Sequence, residues 1–529
     1  MKRWIGLCFI LFLLGPAALA QRSPREKGLP RLKQDLAIII EKLLSCYERG
    51  REIRFLEMAI HLGEIKTHPL FEFEWGKRSL NAAAEQGLLL QCERFRSRFD
   101  NGGCPPRESE RELCQRAQEY IRANGRHPAA SRKAALDLPQ SCSLGQVQKN
   151  LSESQLLLKF VILGDRILLF FVSANQAGYE LLPVGRSQTV AMIQNLCEPL
   201  EDFAAGKVDY LRIHFNMELA HRLFNILLKK VADRFPQADE FVIIPDEDLY
   251  RLPFEALVTG FKDDFQQNDD LFSEYRAVEY LIQSYKVSYF FSFSDFLRRF
   301  HGPGEYPYTL AAFGHPLIDP PGQGSFVSLS NGMNAFADIP STRQEVLGLE
   351  KLFNGSRRRI FLGADFNREN FSRFAPQAKL IHLATHFFSD DNDPARSAFL
   401  FSSSKEGSVL CDAKQIQELK LQAELVILSA CESSEKNLLG FRLLSGMTAA
   451  IRQAGVRDLI ASLWPVDELS SQVVPLFYQE YLRGSGSAAA LRNSKLALMG
   501  RTITLPEGLR LSLAHPFLWA NYVLYRFCH

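Results

Sequence analysis

Five short, largely apolar runs constrain this chain more than any other feature. They are Phe241 to Pro245, Leu310 to Phe313, Leu380 to Ala384, Leu425 to Ser429 and Asp458 to Ser462. A strand wet on one side alternates apolar with polar residues. A run that is apolar throughout must be covered on both faces. The segments between these runs carry helical periodicity, so the pattern predicts an α/β fold. In it a parallel sheet is built by crossovers, with helices on both faces.

Upstream the pattern differs. Gln155 to Leu163 and Arg166 to Val172 flank Gly164-Asp165 and predict a β-hairpin, and residues 187–234 then read as helices. Residues 30–135 are helical in pattern: Leu32, Leu36, Ile39, Ile40, Leu43 and Leu44 recur at helical spacing, until Asn101-Gly102-Gly103 and Pro105-Pro106 interrupt. No 34- or 40-residue repeat stands out, so residues 25–140 are expected to form a small helical domain, with degenerate helical hairpins as one reading of it, that offers a scaffold or a partner-binding surface. Residues 1–20 read as a secretory signal peptide: Lys2 and Arg3, then apolar Trp4 to Leu14, then Ala18-Leu19-Ala20. The run is shorter than the ~20 residues a spanning helix needs, and no later stretch reaches that length without charges, so no membrane span is expected. The chain is expected to be exported, to a periplasm or beyond the cell.

Without Lys2 and Arg3 the remaining basic and acidic groups balance at 60 each, which argues against a nucleic-acid binder. Nine cysteines follow the signal: Cys46, Cys92, Cys104, Cys114, Cys142, Cys197, Cys411, Cys431 and Cys528. An oxidising compartment permits bridges, and the grouping of Cys92, Cys104, Cys114 and Cys142 suggests one or two local ones, with pairing open. The odd count leaves at least one thiol unpaired or bonded to another molecule. It is compatible with eight structural cysteines and a free Cys431. There is no C-x-x-C, Walker A, G-x-G-x-x-G or H-E-x-x-H, and no metal or cofactor is expected.

Two predicted strands end on reactive side chains. One runs into Thr385-His386, the other into Cys431, and open parallel sheets place their sites at strand carboxyl ends. If the strands are neighbours, a helix over Asp412 to Leu419 supplies the crossover. An imidazole beside a thiol can take its proton, the thiolate can attack a carbonyl, and the imidazolium can protonate the leaving amine. The backbone N–H of Cys431 is a candidate oxyanion donor. Taken alone, the pair is as compatible with a buried cysteine and a structural histidine as with a dyad.

Six ordered motifs add to this. FVIIPDEDLYRLPFEAL (Phe241 to Leu257), YLIQSYKVSYFFSFSDFL (Tyr280 to Leu297), IHLATHFF (Ile381 to Phe388), ELVILSACES (Glu424 to Ser433), GVRDLIASLWPVDE (Gly455 to Glu468) and HPFLWANYVLY (His515 to Tyr525) occur in that order. From about residue 150 to 529 the chain resembles the CHAT domain family, bacterial peptidases related to caspases and separases. The resemblance implies a degenerate first part over 145–300 and a catalytic caspase-like part over 301–529. It implies that His386 is the base and Cys431 the nucleophile. The 45 residues between them are close to the ~50 of caspases. It also places Asp467 in the segment lining the P1 pocket, where a carboxylate favours Arg or Lys; a helix N-cap at Asp467 is the other reading.

Phe387 departs from the family, which usually has Gly after the histidine. It keeps the backbone N–H, and is expected to add a side chain at the pocket mouth and to lose glycine's freer φ. His382 is expected to lie on the same side of its strand as His386, either as a core histidine with its hydrogen bonds met or as one that supports the catalytic pair. Glu432 either orients the site or lies in a solvated turn. Asp390, Asp391 and Asp393 form an acidic loop that lacks EF-hand spacing. Two functions follow. One is an exported cysteine endopeptidase with a His386–Cys431 dyad, acting on protein or peptide substrates after a basic residue. The other is a catalytically inactive binding protein on the same fold.

Overall fold

The computed structural model describes residues 28–50, 52–66, 82–100, a few positions between 108 and 119, 143–204, 209, 212–263, 265–266, 268–317, 327–329, 332–334, 339–353, 355, 357–388, 396–402, 410–432, 440–464, 466, 468–505 and 508–528. The proposed signal segment, the Asp390–Asp393 loop and Asp467 lie outside them. The chain divides into two compact units, Met1–Cys142 and Ser143–His529.

The first unit contains helices Gly28–Gly50, Ile53–Lys66 and Ala82–Asp100, and the first packs against the other two. Leu32, Leu36, Ile39, Ile40 and Leu43 form the stripe that the periodicity predicted, and all are fully buried. Arg96 pairs with Asp35 inside this bundle. Cys46 is disulfide-bonded, whereas Cys92 is a buried free thiol. The position of Cys92 on the apolar face of Ala82–Asp100 sets it in the core, outside any local bridge; Cys104, Cys114 and Cys142 lie outside the described residues.

The second unit is built on one mixed, mostly parallel sheet of 13 strands. In chain order its strands are β1 (Gln155–Leu163), β2 (Arg166–Val172), β3 (Ala177–Gly185), β4 (Glu240–Ile244), β7 (Lys286–Tyr289), β8 (Tyr308–Gly314), β11 (Arg358–Leu362), β12 (Ala378–Phe388), β13 (Ala398–Leu400), β14 (Leu410–Asp412), β15 (Leu425–Glu432), β16 (Asp458–Ser462) and β19 (Tyr522–Arg526). Three small hairpins complete the numbering: β5 (Val258–Phe261) with β6 (Val278–Tyr280), β9 (Val327–Leu329) with β10 (Gly332–Asn334), and β17 (Thr502–Thr504) with β18 (Arg510–Ser512).

Across the sheet the order is β11-β8-β12-β15-β16-β19-β7-β4-β1-β2-β3, with β13 and β14 continuing antiparallel beside the end of β12. β8, β12, β15 and β16 run parallel, as their largely apolar sequences predicted, and the edge strand β11, which the apolar pattern did not mark, runs parallel to β8. β1 and β2 pair antiparallel around Gly164, whose φ of 61° is the left-handed conformation glycine allows. The last strand of the chain, β19, sits in mid-sheet, antiparallel to β16 and parallel to β7. The predicted crossover before β15 is the helix Ala413–Glu418, started by a capping box in which the Asp412 side chain accepts from Gln415 N and the Gln415 side chain from Asp412 N. Among the described residues no helix is long and apolar enough to cross a membrane.

Candidate active site

β12 lies between β8 and β15 and is buried along its length except at Lys379, so its ladder is made on both sides. β12 and β15 run parallel from Leu380↔Leu425 to Phe387↔Glu432. The register sets His386 directly opposite Cys431 at the carboxyl ends of the two strands. Neighbouring strands lie roughly 4.7–4.9 Å apart, which puts an imidazole-bearing and a thiol-bearing backbone position side by side. His386 is buried. Glu432 is the last residue of β15 and pairs with Phe387, so its backbone is part of the ladder and not of a free turn.

Strand alternation decides what surrounds the pair. His382 and Ala384 share the face of His386, and Ser429 has the same parity on β15 as Cys431. Over this face lies the helix Pro340–Leu352. It approaches closely because Gly314 has no side chain: a Cβ there would meet Val346 Cγ2 at 2.7 Å and Thr342 O at 3.2 Å. Thr342, Val346 and Leu349 are buried on its inner stripe. Glu345 falls on the same stripe, and its side chain is 6% exposed.

One Glu345 oxygen stands 3.1 Å from His382 Nε2, and the other accepts from Ser429 Oγ at 3.0 Å. Ser429 Oγ also lies 3.0 Å from Tyr522 OH; since the serine proton goes to the carboxylate, the tyrosine donates to the serine. Tyr478, from the helix Val473–Leu482, sets its ring edge-on to His382 at 6.0 Å. Burial, and then the Glu345 carboxylate, hold the Tyr478 phenol well above its ordinary range. His382 is a core histidine as expected, with a carboxylate beside it. Glu345 and Tyr522 were not singled out in the sequence. The available signal was a carboxylate at the second position of the series 342, 345, 346, 349, where an apolar stripe would run.

Phe387 takes the opposite face. Its side chain is 6% exposed and packs on Phe399 of β13 with ring centroids 5.3 Å apart. The expected side chain at the pocket mouth is therefore corrected: alternation turns the ring away from the face of His386. Nor does this position need glycine's freedom, since Phe387 is not among the residues with positive φ. Thr385, also opposite, donates to Leu400 O at 2.6 Å.

Near Asp467, Trp464 is buried and donates from Nε1 to Phe517 O at 3.2 Å. The helical turn that follows is Ser470–Gln472, with Leu469 in the cap position and no side-chain cap bond. His515 is fully buried, and its Nδ1 accepts from Phe517 N at 3.1 Å, capping the short helix Pro516–Trp519. Burial holds its imidazole well below the usual range, so it is neutral. Its part is structural.

Four cysteines, Cys92, Cys197, Cys411 and Cys528, are free and buried. This overturns the idea that every cysteine but Cys431 could be bridged. Burial pushes the thiols of Cys92, Cys197 and Cys411 up to about 12, and that of Cys528 to about 11. Such thiols are inert near neutral pH. Among the described residues no group of three or more His, Cys, Asp or Glu could hold a metal ion.

A family model described as CHAT domain matches residues 217–526, more than half of the chain. No curated protein matches. Among solved structures, a chain of the Saccharomyces cerevisiae separase–securin complex aligns over 92% of this chain and 37% of its own, at 10% identity and a TM-score of 0.42. A second structure of that complex aligns over 89% and 36%, at 9% identity and a TM-score of 0.42. The chain thus spans little more than a third of those chains.

Proposed function

The chain belongs to the CHAT domain family, allied with caspase-like peptidases, and from that premise we propose that it is a cysteine endopeptidase whose nucleophile is Cys431 and whose base is His386. One observation carries the proposal: the two residues are direct partners in a parallel ladder, at the carboxyl ends of adjacent central strands. That is where α/β sheets present reactive groups. His386 takes the thiol proton, and the Cys431 thiolate adds to the scissile carbonyl. The C–N bond then breaks as the imidazolium protonates the departing amine. Water, deprotonated by the same imidazole, cleaves the thioester and restores the thiol. Asp467 favours Arg or Lys at P1 by offering an anionic partner.

The reading includes export. The n-region, apolar run and A-x-A site of residues 1–20 support it, and so does the disulfide at Cys46, since such bridges persist in oxidising compartments. The helical unit binds a protein partner or substrate; the exposed Ile53 and Leu90 support that role.

The test is cleavage of a panel of peptide and ester substrates by the mature chain. Cys431→Ala and His386→Ala should each lower cleavage after Arg or Lys by on the order of 10³-fold or more. Peptidase activity that survives both substitutions would remove the dyad. Ester cleavage without peptide cleavage would point to other acyl chemistry, and no activity at all to a binding protein on this fold.

A further inference from the structure

Glu345 takes no part in that chemistry, yet it is a carboxylate buried within the sheet–helix layer, directly behind the site. A buried carboxylate is costly, and well-packed apolar residues in its place are often as stabilising or more so. Its contacts show what an apolar residue could not do. One oxygen lies 3.1 Å from Nε2 of His382 of β12, four residues before His386, within ion-pair range but outside hydrogen-bond geometry, and the other accepts from Ser429 of β15, two residues before Cys431. A parallel ladder repeats the same backbone bonds in every register, so the backbone alone does not specify which residues face each other. The carboxylate does specify it, because it ties two particular side chains across the strand pair. Tyr522 extends the tie to β19 by donating to Ser429.

We propose that Glu345 is a positioning residue: hydrogen-bonded to Ser429 and set against the His382 imidazole, it holds β12 and β15 in the register and stagger that set His386 beside Cys431. The proposal rests on the reading of those two residues as a dyad. It predicts an effect on the cooperation of imidazole and thiol, not only on stability.

Alkylation of the full mature chain by iodoacetamide, with the label located by mass spectrometry, measures that cooperation without a substrate. Near pH 6 the labelling of Cys431 depends on His386; near pH 9 the thiol ionises largely without help. His386→Ala, run first, sets the unassisted rate. Ser429→Ala and Glu345→Gln should lower the pH 6 rate by about tenfold or more, as sub-ångström misplacement of reacting groups does, while the pH 9 rate changes less than about twofold. Parent-like pH 6 labelling in both folded variants would overturn the clamp. So would a parallel fall at both pH values, which would report altered access instead of altered pairing. If Glu345→Gln does not fold, Ser429→Ala decides alone, because it removes one hydroxyl and no packing volume. If parent and His386→Ala label alike, the dyad itself is wrong, and that is visible before any clamp variant is made.

Discussion

Phe387 shows how much a single side chain's direction matters. It stands next to His386, where the family usually has glycine, and the sequence alone suggests interference with the site. In the fold its ring packs on Phe399, on the opposite face of β12. It is therefore a core residue. Phe387→Ala should lower the unfolding free energy in urea by about 3–5 kcal/mol, the usual cost of emptying a buried aromatic site. A loss below about 1 kcal/mol would mean that the ring is not packed there. His386 and Cys431 were legible because histidine and cysteine at strand ends are chemically conspicuous. Glu345 was not, because a glutamate on a helix ordinarily faces water and only the packed sheet shows it facing inward.

Among elements, legibility tracked burial. β4, β8, β12, β15 and β16 were readable because a strand covered on both faces is apolar at nearly every position. The strands the sequence did not reveal have physical reasons to hide. β11 is an edge strand that begins with Arg358-Arg359, and β3 alternates buried and exposed positions at the other edge. β7 is four residues long, too short for a pattern to accumulate. The seating of the helix Pro340–Leu352 on β8 depends on Gly314. Gly314→Ala should cost about 1–3 kcal/mol through the clash with Val346, and adding Val346→Ala should recover part of that loss. Additive losses in the two singles and the double, measured by chemical denaturation, would show that the residues are not in contact.

For the whole molecule, the fully buried ionisable groups set the response to pH. Burial holds the phenols of Tyr280, Tyr289, Tyr478 and Tyr525 above their ordinary value near 10. The folded state therefore keeps these protons when the unfolded chain has lost them. Their stabilising contribution is complete below the unfolded value and declines as pH rises past it. Lys495, paired with Glu255 in the core, has its ordinary value lowered by burial and acts in the opposite sense, but it is one proton against four. Stability in urea should accordingly fall between about pH 9 and 11, with these four of the 15 tyrosines ionising only on unfolding. Stability unchanged across that range, with all 15 tyrosines titrating in the native state, would contradict the burial of these phenols.

By itself the sequence determined the α/β class, the helical first unit, the central parallel strands, and the pair of reactive residues at two strand ends. These are local consequences of periodicity, burial and residue chemistry. Only the tertiary structure decided what depends on contacts between distant segments. It returned the final strand β19 to mid-sheet, turned Phe387 inward, and brought Glu345 from a separate helix between His382 and Ser429. Strand order and side-chain direction follow from packing the whole sheet, and a linear pattern of apolar runs is the same for many such arrangements.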